Sequence, residues 1–246
     1  MKRFVSLCVA TLLWEAVSRS EVMSPLLFPP PSAVAVAFFD GPFVFALAHD
    51  AMVSMWKLLV GLAFAIVTGI AIGLLTGRSG WFDAVASPVI NTLRPLPPVA
   101  IIPLVIVWFG IGDGAKIFSI TFAAFFPVWL STHAGAAAVA DEYVWSARFL
   151  TRSRFAMFSC IVFPAALPFI VTGIRAGIAT AFVMVFVSEL AGANAGIGYR
   201  ISIMQLAYRV DRMVAALAVL AFLAFLFDRL FQVYVARCFP WFSSAR

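Results

Sequence analysis

Ionisable residues set inside apolar stretches are where this sequence concentrates its chemistry. Arg94 precedes "PLPPVAIIPLVIVWFGIGDGAKIF", Arg175 sits inside "TGIRAG", and Glu189 opens "ELAGANAGIGYRI". At membrane depth such a group is costly to bury and is a functional candidate by default. Arg175 calls for a partner or for water. Glu189 reads equally well as a carboxylate at the membrane interface, and the glycines after it, Gly192, Gly196 and Gly198, permit tight backbone turns. A basic cluster, Arg148, Arg152 and Arg154, lies in the middle of "VADEYVWSARFLTRSRFAMF" and leads into Pro164 and Pro168. Catalytic patterns are missing. There is no GxxxxGK[ST] phosphate loop, no nucleophile elbow and no paired-carboxylate site. His49 and His133 are far apart, and Cys8, Cys160 and Cys238 match no zinc or redox spacing. The expectation is a chain that is not an enzyme and holds no metal or cofactor.

The elements that must position these residues follow from composition. Of 246 residues, 64% are hydrophobic and 11% charged, against about half and a quarter in a soluble domain. No soluble fold of this size has enough interior for that much apolar side chain. The expected class is an all-α polytopic membrane protein with about six transmembrane helices, in one domain over 1–246. Stretches of about 20 apolar residues place spans at 4–20, 55–77, 85–110, 116–134, 164–190 and 212–235. The first has a rival reading as a signal peptide, because Lys2 and Arg3 precede "FVSLCVATLLW". No A-x-A site follows, whereas Glu15, Arg19 and Glu21 do, which favours a retained helix.

The net charge of +6 does not point to nucleic acid, because the basic residues are scattered between apolar runs. With the N-terminus inside, Lys2, Arg3, Arg78, Arg148, Arg152, Arg154, Arg237 and Arg246 fall on the cytoplasmic side. Arg19, Lys57, Lys116, Arg200, Arg209 and Arg212 fall outside, a weak bias of the expected sign. Pro29, Pro30 and Pro31 stiffen the outer linker between the first two spans. The longest inner loop carries the arginine cluster and, with few helix breakers, reads as one or two short amphipathic helices over 140–158.

Four stretches, "LFPPPSAV", "LRPLPPVAIIPLVIVWFGIGDGAKIF", "FPAALPFIVTGIRAG" and "SELAGANAGIGYRI", carry a resemblance. In this order they resemble the permease subunit of a binding-protein-dependent ABC importer, in the subgroup for nitrate, sulfonate, taurine and bicarbonate. The pattern extends from about residue 26 to 235. It implies the type I ABC importer permease fold in a bacterial cytoplasmic (inner) membrane. It also implies two ATP-binding cassette ATPase subunits, an external substrate-binding protein (periplasmic or lipid-anchored), and a second permease chain, as a homodimer or a heterodimer. Its inner loop before "FPAALP" would be a coupling helix that docks on the ATPase.

That loop departs from the family's Glu-Ala-Ala signature. Trp145, Ser146 and Ala147 stand at the triplet and Thr151 at the following glycine, while Ser153 and Arg154 match. The departure leaves open a specialised ATPase, or pairing with a second permease that keeps the signature. The residues assigned to coupling are Trp145, Ser146, Ala147, Arg148, Leu150, Thr151, Ser153, Arg154, Phe155 and Phe158. Those assigned to the translocation path are Arg94, Pro97, Pro98, Arg175, Glu189 and Asn194. The arginines suit a small organic or inorganic anion. A neutral vitamin or pyrimidine precursor remains the alternative solute. A stand-alone secondary transporter is the alternative class, although the inverted repeats it calls for are not seen.

Overall fold

Prolines or glycines stand at most of the breaks between the described helices. The structure, a computed structural model, describes residues 2–20, 26–140, 142, 145, 153, 156 and 158–239. The described residues contain helices and no strand: α1 (Lys2–Arg19), α2 (Pro31–Ala37), α3 (Gly41–Arg78), α4 (Gly80–Leu93), α5 (Ile102–Phe109), α6 (Asp113–Ala137), α7 (Phe163–Leu190), α8 (Ile197–Leu206) and α9 (Val210–Cys238). A 3₁₀ turn, Pro98–Ile101, precedes α5, and a π-helical turn, Phe158–Val162, leads into α7.

Among the described residues, four helices are long and apolar enough to cross a membrane: Gly41–Arg78, Asp113–Ala137, Phe158–Leu190 and Val210–Cys238. A fifth crossing arises if α4 and the segment Pro98–Phe109 count as one span, bent by 87°. The sequence reading drew a single span over 85–110 here. The chain breaks because Pro95, Pro97 and Pro98 each lack an N–H, and Pro97, ahead of Pro98, is held out of the helical region at φ −59° and ψ 123°. The stretch expected as a first span is helical as α1, but it is not among the helices that meet the length and hydropathy of a crossing.

α3 begins 14 residues before the expected start at 55. Its first half carries His49, Asp50, Ser54 and Lys57, which depress hydropathy. Asp50, Ser54 and Lys57 are nevertheless buried, because they share one helical face. At 38 residues it is about 57 Å long, well beyond the roughly 30 Å of a hydrocarbon core.

The chain divides into two units, residues 1–56 with 186–225 and residues 57–185 with 226–246. In the first, Val34, Ala37, Phe43, Leu47, Ile197, Ile201, Met204, Ala215 and Ala216 form the core. Glu15 ties α1 to α2, accepting from Ser32 N–H at 3.1 Å and from Ser32 Oγ at 2.8 Å.

In the second unit, α6 lies between α3 and α7 along seams of small residues. A Cβ on Gly69, Gly73 or Gly77 of α3 would stand 2.8, 2.6 or 2.6 Å from Val128, Thr132 or Ala136 of α6. On the other side, a Cβ on Gly173 of α7 would come within 2.7 Å of Ser131. Glycine every fourth residue lets helices approach closely where lipid supplies no hydrophobic drive for association. Gly73→Leu is therefore expected to cost roughly 3 kcal/mol or more, at or above the top of the range for overpacking. Resistance to unfolding by detergent measures it, with Gly80→Leu as the control, because no atom lies within 4 Å of a Cβ there.

Candidate functional site

The expected path residue Glu189 is 1% exposed at the end of α7, and its environment is built from residues far away in sequence. Ser54 Oγ lies 2.9 and 2.8 Å from its two carboxylate oxygens. Gly198 N–H donates to Glu189 Oε2 at 3.0 Å. Beside it, Gly196 N–H donates to Asp50 Oδ1 at 3.0 Å, and Ile197 N–H donates to Ser54 Oγ at 2.8 Å. Arg200 Nε, one turn into α8, donates to Asp50 Oδ2 at 2.6 Å. Three successive N–H groups at the start of α8 thus meet two carboxylates and a hydroxyl. That is the charge arrangement a helix N-terminus favours, since its first N–H groups have no partner within the helix. The turn "AGANAGIG" is clamped at its base, with Asn194 exposed on it. Gly196 makes the clamp possible at φ 129° and ψ 165°, and a Cβ there would lie 2.2 Å from Glu189 Oε1.

Arg175 also has a partner that the sequence did not identify. Its guanidinium grips Asp228 of α9 through two bonds, Nε to Oδ1 at 2.8 Å and Nη2 to Oδ2 at 3.1 Å. Arg94 is exposed at the C-terminal end of α4, with Pro97 exposed and Pro98 half-buried at the bend that follows. Close by in the second unit, Ile90, Leu93, Phe118, Thr121, Phe122, Phe125 and Phe126 line an apolar cavity of about 230 Å³.

At the junction of α3 and α4, a polar cleft of about 310 Å³ is lined by Thr76, Arg78, Ser79, Asp83, His133 and neighbours. Thr76 Oγ1 accepts from Trp129 Nε1 at 3.2 Å and lies 3.0 Å from His133 Nδ1. Asp83 Oδ1 lies 3.8 Å from the same nitrogen. Arg78 Nη1 donates to the Val139 carbonyl at 3.2 Å, tying the end of α3 to the start of the segment that follows α6. The sequence reading missed this cluster. A lone histidine is a weak signal, and Thr76 and His133 are 57 residues apart.

Two lysines counted on the outer side in the sequence are buried. Lys57 lies within α3, 3.4 Å from Asp113, and Lys116 Nζ donates to the carbonyls of Ile111 and Gly112 at the start of α6. Each begins or follows an apolar run, and each is absorbed into a helix that starts earlier than its hydropathy does.

Of the residues that the sequence assigns to coupling, Ser146, Ala147, Arg148, Leu150, Thr151, Arg154 and Phe155 lie outside the described residues. Trp145 is helical and 58% exposed. Ser153 Oγ accepts from Ala156 N–H at 3.2 Å. Phe158 packs on the core of Leu74, Ala136, Val162, Ala166 and Ile170.

Residues 65–239 match the family described as "Binding-protein-dependent transport system inner membrane component". The chain belongs to that family. Its helical fold agrees with solved importers. This permease resembles a chain of an amino acid ABC transporter crystallised with histidines, with a TM-score of 0.66, 17% identity, and coverage of 82% of this chain and 98% of that one. It also resembles a chain of the MetNI methionine ABC transporter in an inward-facing conformation, with a TM-score of 0.64, 20% identity, and coverage of 80% and 98%. Among curated proteins, it is 32% identical to the taurine transport system permease protein TauC of Escherichia coli K12, over 100% of this chain and 93% of TauC. It is 28% identical to the putative aliphatic sulfonates transport permease protein SsuC of Bacillus subtilis 168, over 99% and 88%. It is 29% identical to the nitrate import permease protein NrtB of Synechocystis, over 92% and 84%. The chain is thus an ABC importer permease, a membrane protein that works with a binding protein.

Proposed function

We propose that this permease forms half of a path through a bacterial cytoplasmic membrane for a small solute bearing a compact oxyanion, driven by separate ATPase subunits. The end-to-end match to the taurine permease carries this reading. Taurine and aliphatic sulfonates bear a sulfonate group, and nitrate is itself an oxyanion of similar size.

In this reading two permease chains, as a homodimer or a heterodimer, alternate between outward and inward access while an external protein delivers the solute. Arg94, Pro97, Pro98, Arg175 and Asn194 border the path. Glu189 contributes by holding the turn that presents Asn194. The segment 140–158 docks on the ATPase through Trp145, Ser146, Ala147, Arg148, Leu150, Thr151, Ser153, Arg154, Phe155 and Phe158. Two contacts support that role. Arg78 holds Val139 at one end of the segment, and Phe158 packs against Leu74 at the other. A displacement of the segment would pull on α3, α6 and α7 as packed bodies.

Deleting the gene for this chain from its own host and measuring uptake of labelled taurine, ethanesulfonate and nitrate tests the solute class. Uptake of one of the three is expected to fall to background and return with the wild-type chain. Unchanged uptake of all three overturns the oxyanion reading. Orientation has its own test. Single cysteines at Ser79 and Ser153, in a chain lacking its three native cysteines, are expected to react with impermeant maleimide only from the cytoplasm. A cysteine at Ser32 is expected to react only from outside. Labelling of position 153 from outside would invert the topology and remove the docking role.

A further inference from the structure

Arg175 stands in the middle of the helix Phe158–Leu190, about 25 Å from one end and about 22 Å from the other at 1.5 Å per residue. Asp228 lies within α9, and Gln232 one turn on donates Nε2 to Asp228 Oδ2 at 2.5 Å. The bilayer supplies no water at this depth, so polar groups must be satisfied by protein or by a water-filled cavity. Yet the side chains of Arg175 and Asp228 are 49% and 33% exposed. An ion pair open to this extent cannot face hydrocarbon. Nor does α6 cover it. Gly173 and Gly177 are the α7 residues seated against α6, and Arg175, two residues from each, points roughly 200° away around the helix.

We propose that this pair lines the water-filled path, that Arg175 binds the anionic group of the transported solute, and that Asp228 is its internal counter-ion, displaced as the solute arrives. The proposal rests on the oxyanion permease reading above. The chemistry is competition between like groups. A guanidinium presents five N–H donors in a planar fork, and Asp228 occupies two of them. A sulfonate or nitrate offers a pair of oxygens in an arrangement similar to a carboxylate's and fits the same edge of the fork. Gln232 retains a hold on Asp228 when the guanidinium turns to the solute. With the path empty, Arg175 and Asp228 neutralise each other.

The test uses the full chain in lipid nanodiscs, with ethanesulfonate as the probe, ethyl methyl sulfone as the neutral isostere and chloride to hold ionic strength. Wild type is expected to bind the sulfonate and not the sulfone. Asp228→Asn removes the competitor and is expected to tighten binding about tenfold. Arg175→Gln with Asp228→Asn removes one charge of each sign and keeps Arg229, so it should melt near the wild-type temperature while binding at least tenfold more weakly. Equal binding by the double variant and wild type overturns the proposal, and so does no binding by wild type. A double variant that loses self-association along with the anion response assigns the pair to a seam between copies and also overturns it. Uptake in the native host separates the two levels of the argument. If deletion abolishes ethanesulfonate import and the double variant restores it fully, only the Arg175 assignment fails. If import of taurine, ethanesulfonate and nitrate all survive deletion, the oxyanion permease reading itself fails.

Discussion

Gly196→Ala is expected to remove most of the folded protein from the membrane. Gly196 occupies φ 129° and ψ 165°, a region populated almost only by glycine and costing another residue about 1–3 kcal/mol. The new methyl would also lie 2.2–2.5 Å from the three atoms of the Glu189 carboxyl group. That carboxylate cannot simply swing aside, because Ser54 Oγ and Gly198 N–H hold it. Displacing it leaves buried polar atoms without their hydrogen-bond partners, at a cost of about 1–3 kcal/mol for each. Thermal unfolding of the purified chain in detergent reads the effect, with Gly114→Ala as a control where no atom lies within 4 Å of the added carbon. A Gly196→Ala protein that melts with wild type would mean that the clamp at the start of α8 does not hold this end of the molecule together.

Arg148→Ala combined with Phe155→Ala is expected to abolish solute uptake and stimulation of the partner ATPase, while the permease stays in the membrane at normal levels. Both residues lie in the segment assigned to docking. The segment is anchored at Val139 and Phe158 by contacts that do not involve either side chain, so the fold should survive their truncation. Trp145 supplies an independent handle. It is helical and 58% exposed, and an indole exposed on a docking surface commonly fills a pocket on its partner, where truncation costs about 2 kcal/mol or more. Trp145→Glu restores the acidic residue usual at this position in the family and is expected to weaken capture of the native ATPase about thirtyfold. Co-purification against a titrated ATPase measures it. If the Arg148 and Phe155 double variant still stimulates hydrolysis and imports solute, the coupling assignment is wrong. If Trp145→Glu captures the ATPase normally, the departed signature has no bearing on the choice of partner.

Much of this was legible in the chain because it depends on local physics. Hydropathy over windows of about 20 residues does not depend on neighbours, so α6, α7 and α9 lie where apolar runs lie. Prolines act on their own backbone and that of the residue before. The run Pro95, Pro97 and Pro98 therefore marks a disturbance at a known place, although it took three-dimensional coordinates to make it an 87° bend. α3 was the hardest case. Its polar first half reads as loop until the partners of Asp50 and Ser54 are seen.

By itself the sequence determined the class of molecule, an all-helical membrane protein without a nucleotide-hydrolysing motif. It also singled out Arg175 and Glu189 as charges needing an explanation, because the cost of a charge at apolar depth follows from its immediate surroundings. Only the tertiary structure decided what those charges do. Glu189 meets Ser54 across 135 residues, and Arg175 meets Asp228 across 53. Pairings at such separations depend on which helix faces pack together, and here glycine seams along α3, α6 and α7 set the packing of the second unit. A glycine's role in such a seam depends on what stands opposite it, and this is why Gly73 appears featureless in the sequence but leaves no room for a Cβ beside Thr132 in the fold.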